Sequence, residues 1–318
     1  MNTRIRLKMI AAAVLVTALP ALPAMAQTPA KPKVALVMKS LANEFFLTME
    51  NGAKEHHTAH AADYDLIANG IKDETDTASQ IKLVEQMIVS HVNALVIAPA
   101  DSKALVPVLK KAVDAGILVV NIDNKLDEGA LKEKGFKVPF VGPDNRKGAK
   151  MVGDVLATKL AKGDQVGIIE GVSTTFNAQQ RTLGFQDAMS AAGAKVIGVQ
   201  SGQWEIAPGN TVAAAMLNAN PNIKALLCGN DNMAIGAVSA IKAAGKAGKV
   251  LVIGYDNINA IKPMLADGRV LATADQFGSK QAVFGIETVL KALSEKKTQA
   301  TMGGVIETKV EVVKGPKA

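Results

Sequence analysis

Along most of the chain, short unbroken apolar runs take turns with longer segments in which apolar residues recur every three or four positions. The runs predict strands buried on both faces, as in a parallel sheet, and the periodic segments predict helices packed against those faces. Val34 to Met38 predicts the first strand. It ends in a polar turn, Lys39 to Asn43, after which Phe45, Phe46, Met49 and Ala53 fall at helical spacing. Tyr64 to Ala68, Ala94 to Ala98, Ile117 to Ile122 and Val138 to Val141 predict four further strands. Helices are predicted over Thr77 to Ser90 and from Ser102, as a capping residue, to Ala115, with Gly116 as its stop.

The alternation then restarts. Asp144 predicts a cap for a helix over Lys147 to Ala161. Strands are predicted at Gln165 to Glu170, Lys195 to Val199, Ala225 to Cys228, Val250 to Gly254 and Val270 to Ala274. Helices are predicted at Asn177 to Ala192, Pro208 to Asn218, Asp231 to Ala244, Asn259 to Ala266 and Ser279 to Ser294, with Asp231 as a cap. Val305 to Val313 alternates and predicts one edge strand. The join Asp114-Ala-Gly-Ile-Leu-Val-Val resembles Ala191-Ala-Gly-Ala-Lys-Val-Ile, which suggests two similar halves. No Pro/Gly/Ser-rich linker separates them, so several chain crossings acting as a hinge are expected, near Gly142-Pro143, Asp275-Gln276 and Met302 to Val305. The expected lobes are residues 27–143 with 277–304, and residues 144–276 with 305–318.

The first 26 residues stand apart. Arg4, Arg6 and Lys8 precede an apolar stretch from Met9 to Leu22, and Ala24-Met25-Ala26 is an A-x-A site. This is the pattern of a cleaved export signal, with Gln27 as the first mature residue and an exported, soluble, monomeric protein as the expectation. Removing those three cations from the formal charge of +7 leaves +4. The lysines are scattered along helices, which argues against nucleic acid as a partner. The single cysteine, Cys228, permits no intrachain disulfide and reads as a buried small hydrophobe. His56, His57 and His60 have helical spacing, yet no carboxylate or cysteine completes a metal set in sequence, and they read as solvated.

In open α/β sheets ligands bind outside the carboxyl ends of the strands. The turn after the first strand has neither G-x-G-x-x-G nor a Walker lysine to hold a phosphate. Amide, ammonium and two aromatic rings there suit a neutral polyhydroxylated ligand instead. Asp123 and Asp256 each follow an apolar strand, one in each half. An ionised carboxylate can accept from two adjacent hydroxyls, whereas the bland alternative is a turn aspartate.

Six stretches occur in order: Asn43-Glu44-Phe45-Phe46; Val119 to Asn124; Arg181-Thr-Leu-Gly-Phe185; Gly229 to Ala237; Ile253 to Asn257; and Ala272 to Gln276. With them nearly the whole chain past residue 26 resembles the ribose-binding branch of periplasmic sugar-binding proteins, the type I binding proteins of ABC importers. The resemblance implies an α/β fold of two Rossmann-like lobes with parallel sheets, a three-strand hinge and one small sugar between the lobes. It implies cleft positions at Asn43, Phe45, Phe46 and Asp123, then at Arg181, Trp204, Asn230, Asp256 and Gln276. Two departures from the ribose binders, Lys39 for a small hydroxyl residue and Asn124 for an arginine, are expected to face the ligand and to move preference away from ribose. No cofactor and no metal are expected. The implied partners are a monosaccharide or sugar alcohol, a membrane permease and, as an added partner, a chemoreceptor.

Two other functions compete. A repressor of the lactose-repressor type shares this fold, but it needs an N-terminal helix-turn-helix where this chain has its export pattern. A carbohydrate-acting enzyme could use the two aspartates as acid and base. Their arginine, asparagine and glutamine neighbours are expected to hold both ionised, which argues against that use.

Overall fold

The computed structural model describes residues 30–318. The expected export signal lies outside the described residues. Two six-stranded sheets organise the chain. The first takes β1 (Lys33–Ser40), β2 (Asp65–Ile71), β3 (Ala94–Ile97), β4 (Leu118–Ile122) and β5 (Phe140–Pro143), linked by α1 (Glu44–Ala59), α2 (Thr77–Val89), α3 (Val106–Asp114) and α4 (Glu128–Glu133). The second takes β6 (Gln165–Glu170), β7 (Lys195–Ser201), β8 (Ile223–Cys228), β9 (Leu251–Ile253) and β10 (Ala272–Asp275). Its helices are α5 (Asn145–Ala157), α6 (Phe176–Ala192), α7 (Ile206–Ala219), α8 (Asp231–Ala243) and α9 (Lys262–Ala266), the last after a 3-10 turn at Asn259–Ile261. The chain then returns to pack α10 (Gly278–Ser294) on α1 and the first sheet, and ends in β11 (Val305–Thr308) and β12 (Glu311–Lys314).

The two sheets have one topology. Their orders are β11-β5-β4-β3-β1-β2 and β12-β10-β9-β8-β6-β7, parallel throughout except for β12 against β10. In each, the order reverses beside the first strand, β1 or β6, and such a switch point leaves a crevice at the strands' carboxyl ends. The similar joins noted in the sequence link α3 to β4 and α6 to β7, which are not equivalent positions in the repeat. They share only a left-handed glycine, Gly116 and Gly193, where the helix must stop.

Burial on both faces explains the unbroken apolar runs. In β1, Val34, Leu36 and Met38 enter one core cluster and Ala35 and Val37 another, on the opposite face. Cys228 is buried at the end of β8, and burial pushes its thiol pKa up.

Several expectations change. The single edge strand over Val305 to Val313 is two strands: β11 pairs parallel to β5, and β12 pairs antiparallel to β10. The third crossing between sheets is therefore Lys309-Val310, not Met302 to Val305, and residues 305–308 belong with the first sheet. Strand alternation alone cannot show which sheet takes a strand. Ser102 does not cap α3, whose N-cap is Leu105 without a side-chain bond and whose first turn holds Pro107. Asp231 is not the cap of α8: Asn230 is, accepting from Met233 N at 2.9 Å. The Asp231 carboxylate instead accepts from the Thr273 hydroxyl and from Ile258 N, tying β10 to the loop after β9. His56 is largely buried, hydrogen-bonded to the Tyr64 hydroxyl at 2.9 Å and stacked on His60, so it is a packing residue and not a solvated one.

Candidate functional site

Residues 31–318 form one compact unit, and the carboxyl ends of the two sheets line one space within it. Lys39 at the end of β1, Asn43, Phe45 and Phe46 at the start of α1, and Asp123 after β4 line it from the first lobe. Arg181 on α6, Trp204 after β7, Asn230 after β8, Asp256 after β9 and Gln276 after β10 line it from the second. Counted as all non-atom space, including what opens to solvent, it is about 230 Å³. Every one of these residues is buried.

Ten of the eleven expected site residues thus converge. Asn124 does not. Its amide donates to Pro99 O at 2.9 Å, and its Oδ1 accepts from the Ser102 hydroxyl and from Asn177 N. Asp123, just before it, stands in the left-handed region, φ 60°. Two lining residues escaped the sequence reading, Glu74 and Asn177. Glu74 sits in a charged loop between Asp73 and Asp76 that reads as solvated, and the one available signal was its place just beyond β2. Asn177 looked like an ordinary first-turn helical residue.

The backbone is held in unusual conformations here. Trp204 has φ 68° and Asp256 φ 118°, which side-chain-bearing residues seldom adopt. Such positions cost on the order of 1–3 kcal/mol each and persist where surrounding structure over-determines them. Trp204 is fixed by close packing: a Cβ on Gly171 would overlap its ring, so only glycine fits beneath it. The Arg181 guanidinium stacks 3.8 Å from the Tyr255 ring centre and 5.4 Å from that of Trp204. Its Nε donates to Asn145 Oδ1 and its Nη1 to Gly229 O, both at 2.8 Å, with Asp256 Oδ1 at 3.5 Å. Gln276 Nε2 donates to the same Asp256 oxygen at 2.7 Å.

The first lobe is less tightly bonded. Lys39 Nζ lies 3.9 Å from Glu74 Oε2 and 3.8 Å from Asp123 Oδ2, within ion-pair range and beyond a hydrogen bond. It also sits 5.5 Å over the Phe46 ring and 5.6 Å over the Trp204 ring. Asn43 caps α1 through its Oδ1 and donates through its Nδ2 to Glu74 Oε1 at 2.9 Å.

Three carboxylates, Glu74, Asp123 and Asp256, share the space with two cations, Lys39 and Arg181. Burial disfavours charge on all three acids. It raises Glu74 to about 8 despite Lys39 and Asn43, and Asp256 to about 7 despite Arg181. Asp123 moves up for the same reason, partly offset by Lys39 and Arg181. The expectation that polar neighbours simply hold the aspartates ionised is corrected: desolvation outweighs them. Glu74 Oε2, Asp123 Oδ2 and Trp204 Nε1 are buried with no hydrogen-bond partner among the described residues. Buried polar atoms are rarely left so, and a cluster of them lining one space is what a hydroxyl-rich ligand would satisfy.

A family model described as periplasmic binding protein domain matches residues 34–297. The chain belongs to that family. Within it, the D-ribose/D-allose-binding protein of Pseudomonas aeruginosa is 65% identical over 98% of this chain and 99% of its own length. An ABC transporter solute binding protein from Burkholderia multivorans is 74% identical over 89% of this chain and 99% of that one, with a TM-score of 0.88. Another from Actinobacillus succinogenes, crystallised with bound D-allose, is 36% identical over 90% and 99%, with a TM-score of 0.82. These place the chain in the ribose-binding branch of ABC solute-binding proteins, with its two-lobe type I fold, and membership implies a periplasmic protein.

Proposed function

We propose that this protein is a periplasmic receptor that captures one monosaccharide, an aldose of the allose or ribose type, and delivers it to the permease of an ABC importer. Residues 1–26 would direct its export and be removed after Ala26. The observation that carries the reading is a space lined from both sheets by acids, cations, amides and aromatic rings. Aldose hydroxyls both donate and accept, which the carboxylates, ammonium, guanidinium and amides can answer in pairs. Sugar C–H faces can stack on Trp204 and on Phe45 or Phe46. The names of the relatives supply D-allose and D-ribose as first candidates, so a preference away from ribose, expected from Lys39 and Asn124, now rests on Lys39 alone.

Because each lobe supplies part of the lining, a bound sugar favours the closed arrangement, and the closed outer face is what a permease can recognise. The test is a thermal-shift screen across pentoses, hexoses, polyols and sugar acids. A ligand at a hundredfold excess over its dissociation constant stabilises the native state by about 2.7 kcal/mol. Solution scattering with and without the best ligand should show a smaller radius of gyration on binding. Tight binding without compaction would overturn the closure model, and no shift with any carbohydrate would overturn the receptor reading.

The raised carboxyls are the one feature a carbohydrate-acting enzyme would share. Prolonged incubation with the ligand, followed by its recovery unchanged, decides between the two.

A further inference from the structure

Helix α6 begins without a side-chain bond from its N-cap residue. Its N-cap residue, Thr175, turns its hydroxyl back to donate to Val172 O and makes no forward cap bond. Ala178 N is taken by Asn177 Oδ1 of the same turn, and the two N–H groups before it are taken from across the cleft. Phe176 N donates to Ser102 Oγ at 2.9 Å and Asn177 N to Asn124 Oδ1 at 3.3 Å. Ser102 also donates its hydroxyl to Asn124 Oδ1, and Asn124 is pinned through Pro99 O. The two acceptors therefore form one buried unit on the first lobe, aimed at a helix of the second.

The same arrangement recurs at the other rim. The 3-10 turn at Asn259–Ile261 has no side-chain cap from its own lobe. The Glu44 carboxylate, in the first turn of α1, accepts from Asn259 N at 2.7 Å through one oxygen and from Ala260 N at 3.1 Å through the other. A third bridge runs the opposite way, from Glu74 N to Glu205 Oε1 at 3.4 Å.

We propose that Glu44, Ser102 and Asn124 are positioning residues for sugar capture: they cap α6 and the 3-10 turn of the opposite lobe only when the lobes are together, and so set affinity without touching the sugar. The proposal rests on the closure reading above. Unsatisfied N–H groups at a helix start find water when exposed, so the open form keeps its stability, and the caps form on closing. An apparent dissociation constant scales inversely with the population of the binding-competent state, so losing a cap weakens binding through that population. It also explains Asn124, which follows the cleft aspartate in sequence yet lies off the cavity.

The experiment compares Glu44→Ala, Glu44→Gln and Ser102→Ala with the native protein, using D-allose and D-ribose as probes. Expected are dissociation constants raised about tenfold for Glu44→Ala and several-fold for Ser102→Ala, as befits one or two lost hydrogen bonds. The change should appear in the dissociation rate, with Glu44→Gln intermediate because it keeps one acceptor. The melting temperature of the sugar-free variants should stay at the native value. A parallel fall in that temperature would make the residues merely structural and overturn the proposal, as would native affinity in Glu44→Ala. One arm needs no sugar: a cysteine introduced on each facing rim is oxidised, and the rate of interlobe disulfide trapping reads the closed population. The buried Cys228 does not compete. Slower trapping in Glu44→Ala supports capping even if both sugars fail to bind and the receptor reading falls; an unchanged rate overturns it.

Discussion

The two lobes share a topology and divide the chemistry unequally. In the second lobe the polar groups lining the cavity, apart from the Trp204 indole N–H, are engaged: Arg181 by Asn145, Gly229 O and Asp256; Gln276 by Asp256; Asn230 by Trp204 O and Met233 N. In the first lobe, Lys39 stands between Glu74 and Asp123 at ion-pair distances, and one oxygen of each acid has no hydrogen-bond partner among the described residues. On the proposed reading the second lobe is thus a preorganised half-site, and the first holds two carboxylate oxygens that a ligand would satisfy. Two halves of one fold are therefore bonded differently: one holds most of its lining groups in fixed hydrogen bonds, and the other supplies both unsatisfied carboxylate oxygens.

The contrast breaks most sharply at Arg181. Arg181→Ala removes the bonds that order the second half-site and leaves Asp256 buried without its cation. Each lost charge-assisted hydrogen bond is worth roughly 1.5–3 kcal/mol, so affinity for the identified sugar should fall at least a few hundredfold by calorimetry. The fold should persist, read from an unchanged far-ultraviolet spectrum. A near-native dissociation constant would remove Arg181 from the site.

Asp123→Ala tests the other half. Its unpartnered carboxylate oxygen, proposed to accept from the sugar, is lost, and Lys39 keeps Glu74 beside it. Here too a loss of about a hundredfold is expected in titration calorimetry, at the same order of roughly 1.5–3 kcal/mol per bond. If Asp123→Ala proved far milder than Arg181→Ala, the first lobe would be an electrostatic lid and not a partner in recognition.

A smaller effect, with a definite sign in pH, belongs to Glu74. Its folded-state value near 8, and that of Asp256 near 7, lie above the ordinary carboxylate range. For a raised carboxyl the stabilising contribution is full below that ordinary range and is lost as pH rises through the folded value. Urea unfolding of the sugar-free protein between pH 5 and pH 9 should therefore show stability declining towards the alkaline end, an effect integrated over roughly that window. Glu74→Gln should flatten the decline, and an unchanged slope in that variant would take Glu74 out of the titration.

The mildest change is Trp204→Phe. Trp204 is the one tryptophan and lines the cavity, so intrinsic fluorescence should change saturably with sugar in the native protein. In Trp204→Phe binding should persist, weakened by about 0.5–1.5 kcal/mol of aromatic contact, while the optical signal vanishes.

Much of this molecule was written in local pattern. Runs such as Val34 to Met38 declared strands buried on both faces, because a parallel strand covered by helices has no polar face to alternate with. Strand ends followed by Lys39, Asp123 and Asp256 declared the rim, since ligands gather at carboxyl ends by topology. Three things were decided only in three dimensions. Glu74 became a cavity group because a charged loop folded over the end of β2, and nothing in a run of acids distinguishes a solvated carboxylate from a buried one. Asn124 left the cavity because its side chain is bonded to Pro99 O, Ser102 and Asn177 N, partners that its sequence neighbours do not announce. The stretch 305–313 split between sheets because a strand's pattern records how it is buried, while its partner depends on which edge the chain reaches last.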